Sequence, residues 1–451
     1  MPRVTPKEIA GNPFTTPEIL KTLAHDQDAN VRREVAINPS TSPETLNMLA
    51  LDDEVDVRVP VAGNPNTPID SLIKLSQDHY YVVRKFVAGN QNTPLSILLN
   101  CAKDSHEVVR EAVALNSNTS IQTLLELSKD EHSNVRWGVA HNPKTSKKIL
   151  IALAQDIDKF VRKAVATSTF KETSAFSYRS WDKPNIPIEV LIALADDRDQ
   201  EVRKSVAQNP NTPAETLLSL SQDKCQEVRW EVARNSNTPT QALASLAIDR
   251  DSSVRWVVAC NPNTLVDTLF ELAVDKSARS AVAQNENTPV ETLVNLALTK
   301  DSYTRSAVAQ NPNTPIETLI ILAKDRHEDV RKGVARNPNT PLLTLLQLAT
   351  DKHKSVCGAV AENPSTPIET LQALSQDEDF EVRWRVAENA KTPGEILTAL
   401  SRDKKWDVRW VVSKNPKTPT NTLIALTKDK NYAVRFVAAR NPNTPKPMAD
   451  S

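Results

Sequence analysis

The sequence predicts an all-α solenoid of about sixteen short two-helix repeats. Two observations carry this. A block opening on asparagine returns at a step of 26 residues with two exceptions, between Asn142 and Asn209 and between Asn261 and Asn285, at Asn12, Asn38, Asn64, Asn90, Asn116, Asn142, Asn209, Asn235, Asn261, Asn285, Asn311, Asn337, Asn363, Asn389, Asn415 and Asn441. Within each block, apolar residues recur at helical spacing in two short runs. A fixed period of this length marks an array of supersecondary units rather than separate globular cores.

The block from Asn311, NPNTPIETLIILAKDRHEDVRKGVAR, shows the two runs. Thr314 reads as an N-cap, Pro315 as the first helical residue, and Glu317 as the partner that completes a capping box. Ile316, Leu319, Leu322 and Ala323 then form one helical face, and Asp325 stands between the helices. The second helix carries Val330, Val334 and Ala335. Asn337, a residue that tolerates a left-handed cap, and Pro338 end it. Helices of about ten residues are marginal alone. The few apolar side chains of one block do not offset the entropy of ordering its backbone, so neighbours must share a continuous core.

The chain has 451 residues, a net charge of −1 and 25% charged residues, the balance of an ordinary soluble chain. Glycine is scarce, with 7 residues against 30 prolines, and neither phosphate-binding glycine motif occurs. Cys101, Cys225, Cys260 and Cys357 are far apart, which argues against a disulfide framework or a sulfur-ligated metal, and Cys101 reads as a core residue. The start lacks a signal-peptide pattern, and no apolar run approaches the ~20 residues that cross a bilayer. A cytoplasmic protein with no membrane association is therefore expected.

The pattern NPxTPxEtLxxLAxDxxxxVRxxVAxNP resembles the leucine-rich repeat variant family. The resemblance runs in register through nearly the whole chain and implies a right-handed superhelix of alternating α and 3₁₀ helices; an α/α pair is the other reading. An aspartate six residues before an arginine also resembles HEAT repeats, where such pairs form a ladder. Asp26 and Arg32, Asp223 and Arg229, Asp325 and Arg331, and Asp403 and Arg409 have this spacing. One branch of the variant family carries a cysteine-ligated iron–sulfur domain at its N-terminus. No cysteine precedes Cys101 here, so no cofactor is expected.

The arginine is present in fifteen of the sixteen blocks, with Cys357 in the other. Helical steps of about 100° place Arg383 inside the apolar arc marked by Val382, Val386 and Ala387. A charge there needs a partner, either the aspartate of its own block, Asp377, or that of the next. Trp384 falls well off the centre of that arc. Other blocks put Lys85, Glu111, Lys163, Ser306 or Lys332 at the same place, so the position is at least partly open to solvent.

That position holds Trp137, Trp230, Trp256, Trp384, Trp410 and Phe436, with Lys204 beside the tryptophans of the next two blocks. One reading is local packing of rings on cations. The other, which leads, is a set of binding anchors for a protein or peptide. The alternative function is nucleic-acid binding, a base-acting enzyme similar to HEAT-like DNA glycosylases included. Eleven basic and four acidic residues from Arg402 onward, with Trp406, Trp410 and Phe436 among them, favour it. A structural spacer is a third reading. No catalytic residue and no metal site is predicted: His106 and His132, and His327 and His353, recur as loop positions with no completing ligand.

The array, read as a single domain over 1–451, has two irregularities. An insertion loop at 168–184 carries Phe170, Phe176, Tyr178 and Trp181, and insertions in such arrays often lie on a binding face. Residues 276–305 form a shortened stretch, with Ala278 and Thr304 where valine is expected and a change of curvature predicted. The last segment, TPKPMADS, has no amphipathic capping helix, and end-to-end self-association is an expectation from that.

Overall fold

The computed structural model describes residues 5–445 except 168, 174–177 and 183–185, and gives the backbone alone at 169–173 and 178–182. The repeat register runs through the chain, while the fold separates into two compact units, Met1–Pro239 and Thr240–Ser451. Each unit is an array of helix pairs. Successive second helices pack on one another, and each first helix packs on the second helix that follows it.

In the repeat from Asn311 the first helix is Ile316–Leu322 and the second Glu328–Arg336. Both are α-helices, and no 3₁₀ segment occurs among the described residues. The first helix is closed by α-type bonds, Leu319 N–H to Pro315 O and Ala323 N–H to Leu319 O. Of the predicted apolar face, Leu319, Leu322 and Ala323 are buried, whereas Ile316 is 51% exposed. The core lies where leucines of the first helix meet valines and alanines of the second helices.

Two local readings need correction. Thr314 does not cap the first helix. Its hydroxyl donates to Val308 O at 2.5 Å, satisfying a carbonyl at the end of the preceding second helix, and the helix starts one residue later with Pro315 as N-cap. The equivalent threonine hydroxyls act alike, as in Thr41 to Val35 O and Thr392 to Val386 O, both at 2.6 Å. The asparagine is not a left-handed cap either. Asn337 is extended, at φ −65° and ψ 125°, and no described residue has positive φ.

The asparagine joins repeats instead. Asn337 Nδ2 donates to Ala309 O and Asn311 O of the previous repeat, both at 2.8 Å, while its Oδ1 accepts from Asn339 N–H at 2.9 Å. The two carbonyls sit at a buried seam, where an unpaired carbonyl is costly. The same pattern returns at Asn38, Asn116, Asn363 and Asn415.

The arginine ladder forms, with a partner that the sequence left open. Arg383 Nε and Nη2 donate to Asp403 Oδ2 and Oδ1 at 2.6 and 3.1 Å, so the carboxylate comes from the next repeat. Asp377 of its own repeat contributes only its backbone carbonyl, 2.7 Å from Nη1. Asp403 thus holds two arginines, Arg383 by its side chain and Arg409 by its main chain. In the first unit the rungs run from Arg32–Asp52 to Arg203–Asp223. In the second they include Arg255–Asp275, Arg305–Asp325, Arg331–Asp351 and Arg409–Asp429. The bidentate fork of guanidinium on carboxylate fits this role better than lysine could.

The insertion is a β-hairpin where a loop was expected. β1 (Thr169–Thr173) pairs antiparallel with β2 (Tyr178–Asp182), Thr169 opposite Asp182 and Thr173 opposite Tyr178. Both ladders close across it: Arg162 pairs with Asp197 at 2.6 and 2.9 Å, and Asn209 Nδ2 donates to Ala166 O at 2.8 Å. The repeat array therefore continues across the insertion.

The ladder is broken at two places in the second unit. Thr299 stands where the aspartate belongs, and the buried Nε of Arg279 has no hydrogen-bond partner. This lies in the shortened stretch, where the second helix is reduced to Arg279–Gln284. At Cys357 the arginine is missing. There Lys354 takes over the next aspartate, Nζ to Asp377 Oδ2 at 3.0 Å, and the thiol points to Asp351 O at 3.3 Å.

Candidate functional site

Electrostatics first separates structural charges from available ones. Burial opposes ionisation of Asp325, but the Arg305 guanidinium and the His327 N–H outweigh it, and its carboxyl is held below the usual range. Asp104, Asp223 and Asp403 are depressed by the same combination. These aspartates are spent on the ladder and are unsuited to acid–base work near neutrality. Burial pushes the Cys101 thiol up to about 11, which removes it as a nucleophile and fits the core role expected of it. Among the described residues no cluster of three or more His, Cys, Asp or Glu is placed to hold a metal ion.

The second helices Phe380–Glu388, Trp406–Lys414 and Tyr432–Arg440 line an open, mostly apolar cleft of about 670 Å³. Its walls are Phe380, Glu381, Trp384, Arg385, Trp406, Asp407, Trp410 and Ala433. The helices repeat one layout at a step of 26: aromatic, acid, then an aromatic four residues after the first. Phe380, Glu381 and Trp384 give the first copy, and Trp406, Asp407 and Trp410 the second. Tyr432, Ala433 and Phe436 give a third in which alanine replaces the acid. Residues four apart share a helix face, so each pair of rings projects to one side.

The charges around the cleft are unequally engaged. Arg385 lies 4.3 Å from the Trp384 ring centroid and is held by Glu362 at 2.7 Å and Glu388 at 3.1 Å. Lys414 stands 4.9 Å from the Trp410 ring, and Arg440 3.5 Å from that of Phe436. Lys405 approaches the Phe380 ring at 5.3 Å. Glu381 is exposed, Asp407 is half-buried, and neither carboxylate is in an ion pair within the described structure.

The sequence-predicted anchors divide accordingly. Trp384 and Trp410 line the cleft, and Phe436 lies beside it, 42% exposed. Trp256, also in the second unit, is 43% exposed and outside the cleft. Trp137, Trp230 and Lys204 belong to the first unit and are half-buried. Trp137 packs 4.4 Å from His141, and Arg234 lies 5.6 Å from the Trp230 ring. Phe176 and the side chains of Phe170, Tyr178 and Trp181 lie outside the described residues. Phe380, Trp406, Glu381 and Asp407 were not among the expected anchors. Their signal was present as a second aromatic four residues before the first, repeating at the period of the array.

The first unit has a separate, polar cleft of about 480 Å³ lined by Thr167, Ser205, Gln208, Glu231 and Arg234. Glu231 is nearly buried there, accepting from Gln208 Nε2 at 2.6 Å.

Comparison with known proteins bears on the repeat itself. The leucine-rich repeat variant family model matches residues 201–224 and 328–353, each spanning a second helix and the first helix that follows it. These two segments match the leucine-rich repeat variant pattern. No curated protein matches the chain. Among solved structures, this chain is similar to one described as a leucine-rich repeat variant with a novel repetitive structural motif. The identity is 25%, over 54% of this chain and 87% of that one, with a TM-score of 0.32. The karyopherin Kap121p, bound to the extreme C-terminus of the protein phosphatase Cdc14p, matches at 13% identity and TM-score 0.32. That match covers 97% of this chain and 53% of that one. An engineered protein matches at 18% identity over 94% and 97%, with a TM-score of 0.18.

Proposed function

We propose that this chain, whose repeats resemble the leucine-rich repeat variant, is a non-enzymatic scaffold that binds a segment of another protein on its second helices. The observation that carries the reading is the aromatic cleft between Phe380 and Ala433, an open concavity walled by three tryptophans and a phenylalanine. Rings of this kind supply large contact area at low entropic cost and are enriched at energetic hot spots. The ladder charges are already paired, so the variable position and its neighbours are the part of the repeat left for recognition.

Affinity purification with the wild-type chain and a Trp384→Ala/Trp410→Ala variant is the test. Loss of specific partners from the variant supports the reading, and identical partner sets overturn it. A second reading is favoured by one observation, the surplus of eleven basic over four acidic residues from Arg402 onward, with Lys404, Lys405, Lys414 and Lys417 all exposed. Aromatic rings among such charges are a layout for single-stranded nucleic acid. Salt-dependent binding of an oligonucleotide would support it, and no binding at low salt would remove it.

A further inference from the structure

We infer that the cleft reads an extended peptide carrying two cationic side chains three residues apart; this rests on the peptide-binding reading above. Glu381 and Asp407 occupy the same place in successive repeats, each beside a pair of rings, and neither is in an ion pair among the described residues. A ring face attracts a cation electrostatically, and an adjacent carboxylate adds charge complementarity. The protein's own cations already use this attraction at Trp384, Trp410 and Phe436. The guanidinium within the cleft, Arg385, is neutralised by Glu362 and Glu388, so the two free charges of the lining are negative.

The spacing of the ligand follows from the spacing of the repeats. Packed helices lie about 8–10 Å apart, which separates the two acid–aromatic registers by that distance. A polyproline-type strand rises about 3.1 Å per residue with three residues per turn, so side chains at i and i+3 share a face about 9 Å apart. The third register has Ala433 in place of the acid, and it takes an uncharged side chain at i+6.

Fluorescence polarisation with labelled proline-rich peptides tests this on the full chain. The probes carry two lysines three residues apart, the same lysines adjacent, or two glutamates three residues apart. The lysine i, i+3 peptide is expected to bind, with the glutamate peptide at least about tenfold weaker and the adjacent-lysine peptide intermediate. Glu381→Gln/Asp407→Asn, whose folding is checked by circular dichroism, is expected to lose most of the preference for lysine. Binding that is indifferent to peptide charge, or unchanged in this variant, overturns the inference while the peptide-binding reading stands. Failure of every peptide overturns both. An oligonucleotide that binds through Trp384, and more tightly after Glu381→Gln/Asp407→Asn, also overturns it and assigns the cleft to nucleic acid.

Discussion

Arg203 and Asp223, twenty residues and one repeat apart, meet through two parallel hydrogen bonds of 2.6 and 2.9 Å, with both side chains less than a tenth exposed. The same arginine donates to Asp197 O at 2.8 Å, so one guanidinium ties its own interhelix turn to that of the next repeat. Arg203→Ala strands the Asp223 carboxylate at a buried seam. A loss of about 3–5 kcal/mol is expected in a denaturant titration. An unchanged midpoint would show that the ladder is decorative.

The ladder also sets an acid limit. Burial raises the Asp223 carboxyl, but Arg203 and the Cys225 N–H lower it further, and its net position is below the usual carboxylate range. A depressed carboxylate contributes stability above its unfolded pKa, about 3.9, and that stability is lost as pH falls through the folded value. Thermal midpoints are therefore expected to be flat from neutrality to about pH 5 and to fall steeply below about pH 4. Because the rungs repeat, the drop should be steeper than one group gives. A gradual decline through pH 6–7 would contradict this.

The broken rung predicts a gain. Thr299→Asp places a carboxylate one repeat on from Arg279, whose buried Nε has no partner. Hydrogen bonds to charged groups contribute about 1.5–3 kcal/mol, and a rise in melting temperature is expected. Arg279→Ala in the Thr299→Asp background should abolish that rise. If it does not, the gain has another source.

The asparagine seam predicts a loss without any change of charge. Asn363→Ala leaves Ala335 O, Asn337 O and Ser365 N–H without their partner. Each of the two buried carbonyls, once stranded, costs about 1–3 kcal/mol. The variant should exchange amide hydrogens faster in the two repeats it joins. Uniform protection across the second unit would argue against a local role.

The cleft residues should behave oppositely. Trp384 and Trp410 are half-buried, and other repeats place charged residues at their position. Trp384→Ala/Trp410→Ala is expected to shift unfolding by no more than about 1–2 kcal/mol while removing ligand binding, well below the effect of a core truncation. A collapse of stability would return these rings to packing.

Much of this was legible in the sequence, because a repeat samples each position many times. Sixteen copies show that position 384 accepts tryptophan, lysine, glutamate or serine, whereas Val382 and Val386 scarcely vary in type. The hairpin at 169–182 was less legible, since it occurs once and offers no second copy to compare. The ring pair Phe380–Trp384 was less legible, because other repeats put Glu107, Ser133, Lys159 or Gln200 at the position of Phe380.

The sequence by itself determined the helix pairs, their period, the buried valines and leucines, and the existence of a charged ladder, all of which follow from local periodicity. Only the tertiary structure decided the partners: Arg383 with Asp403 rather than Asp377, Asn337 with the carbonyls of the repeat before it, and Thr314 with Val308 instead of its own helix. Each of these bonds joins groups that sequence spacing places equally well in two ways. The choice falls to whichever partner lies across the stacked seam, where a buried carbonyl or carboxylate has no water to turn to.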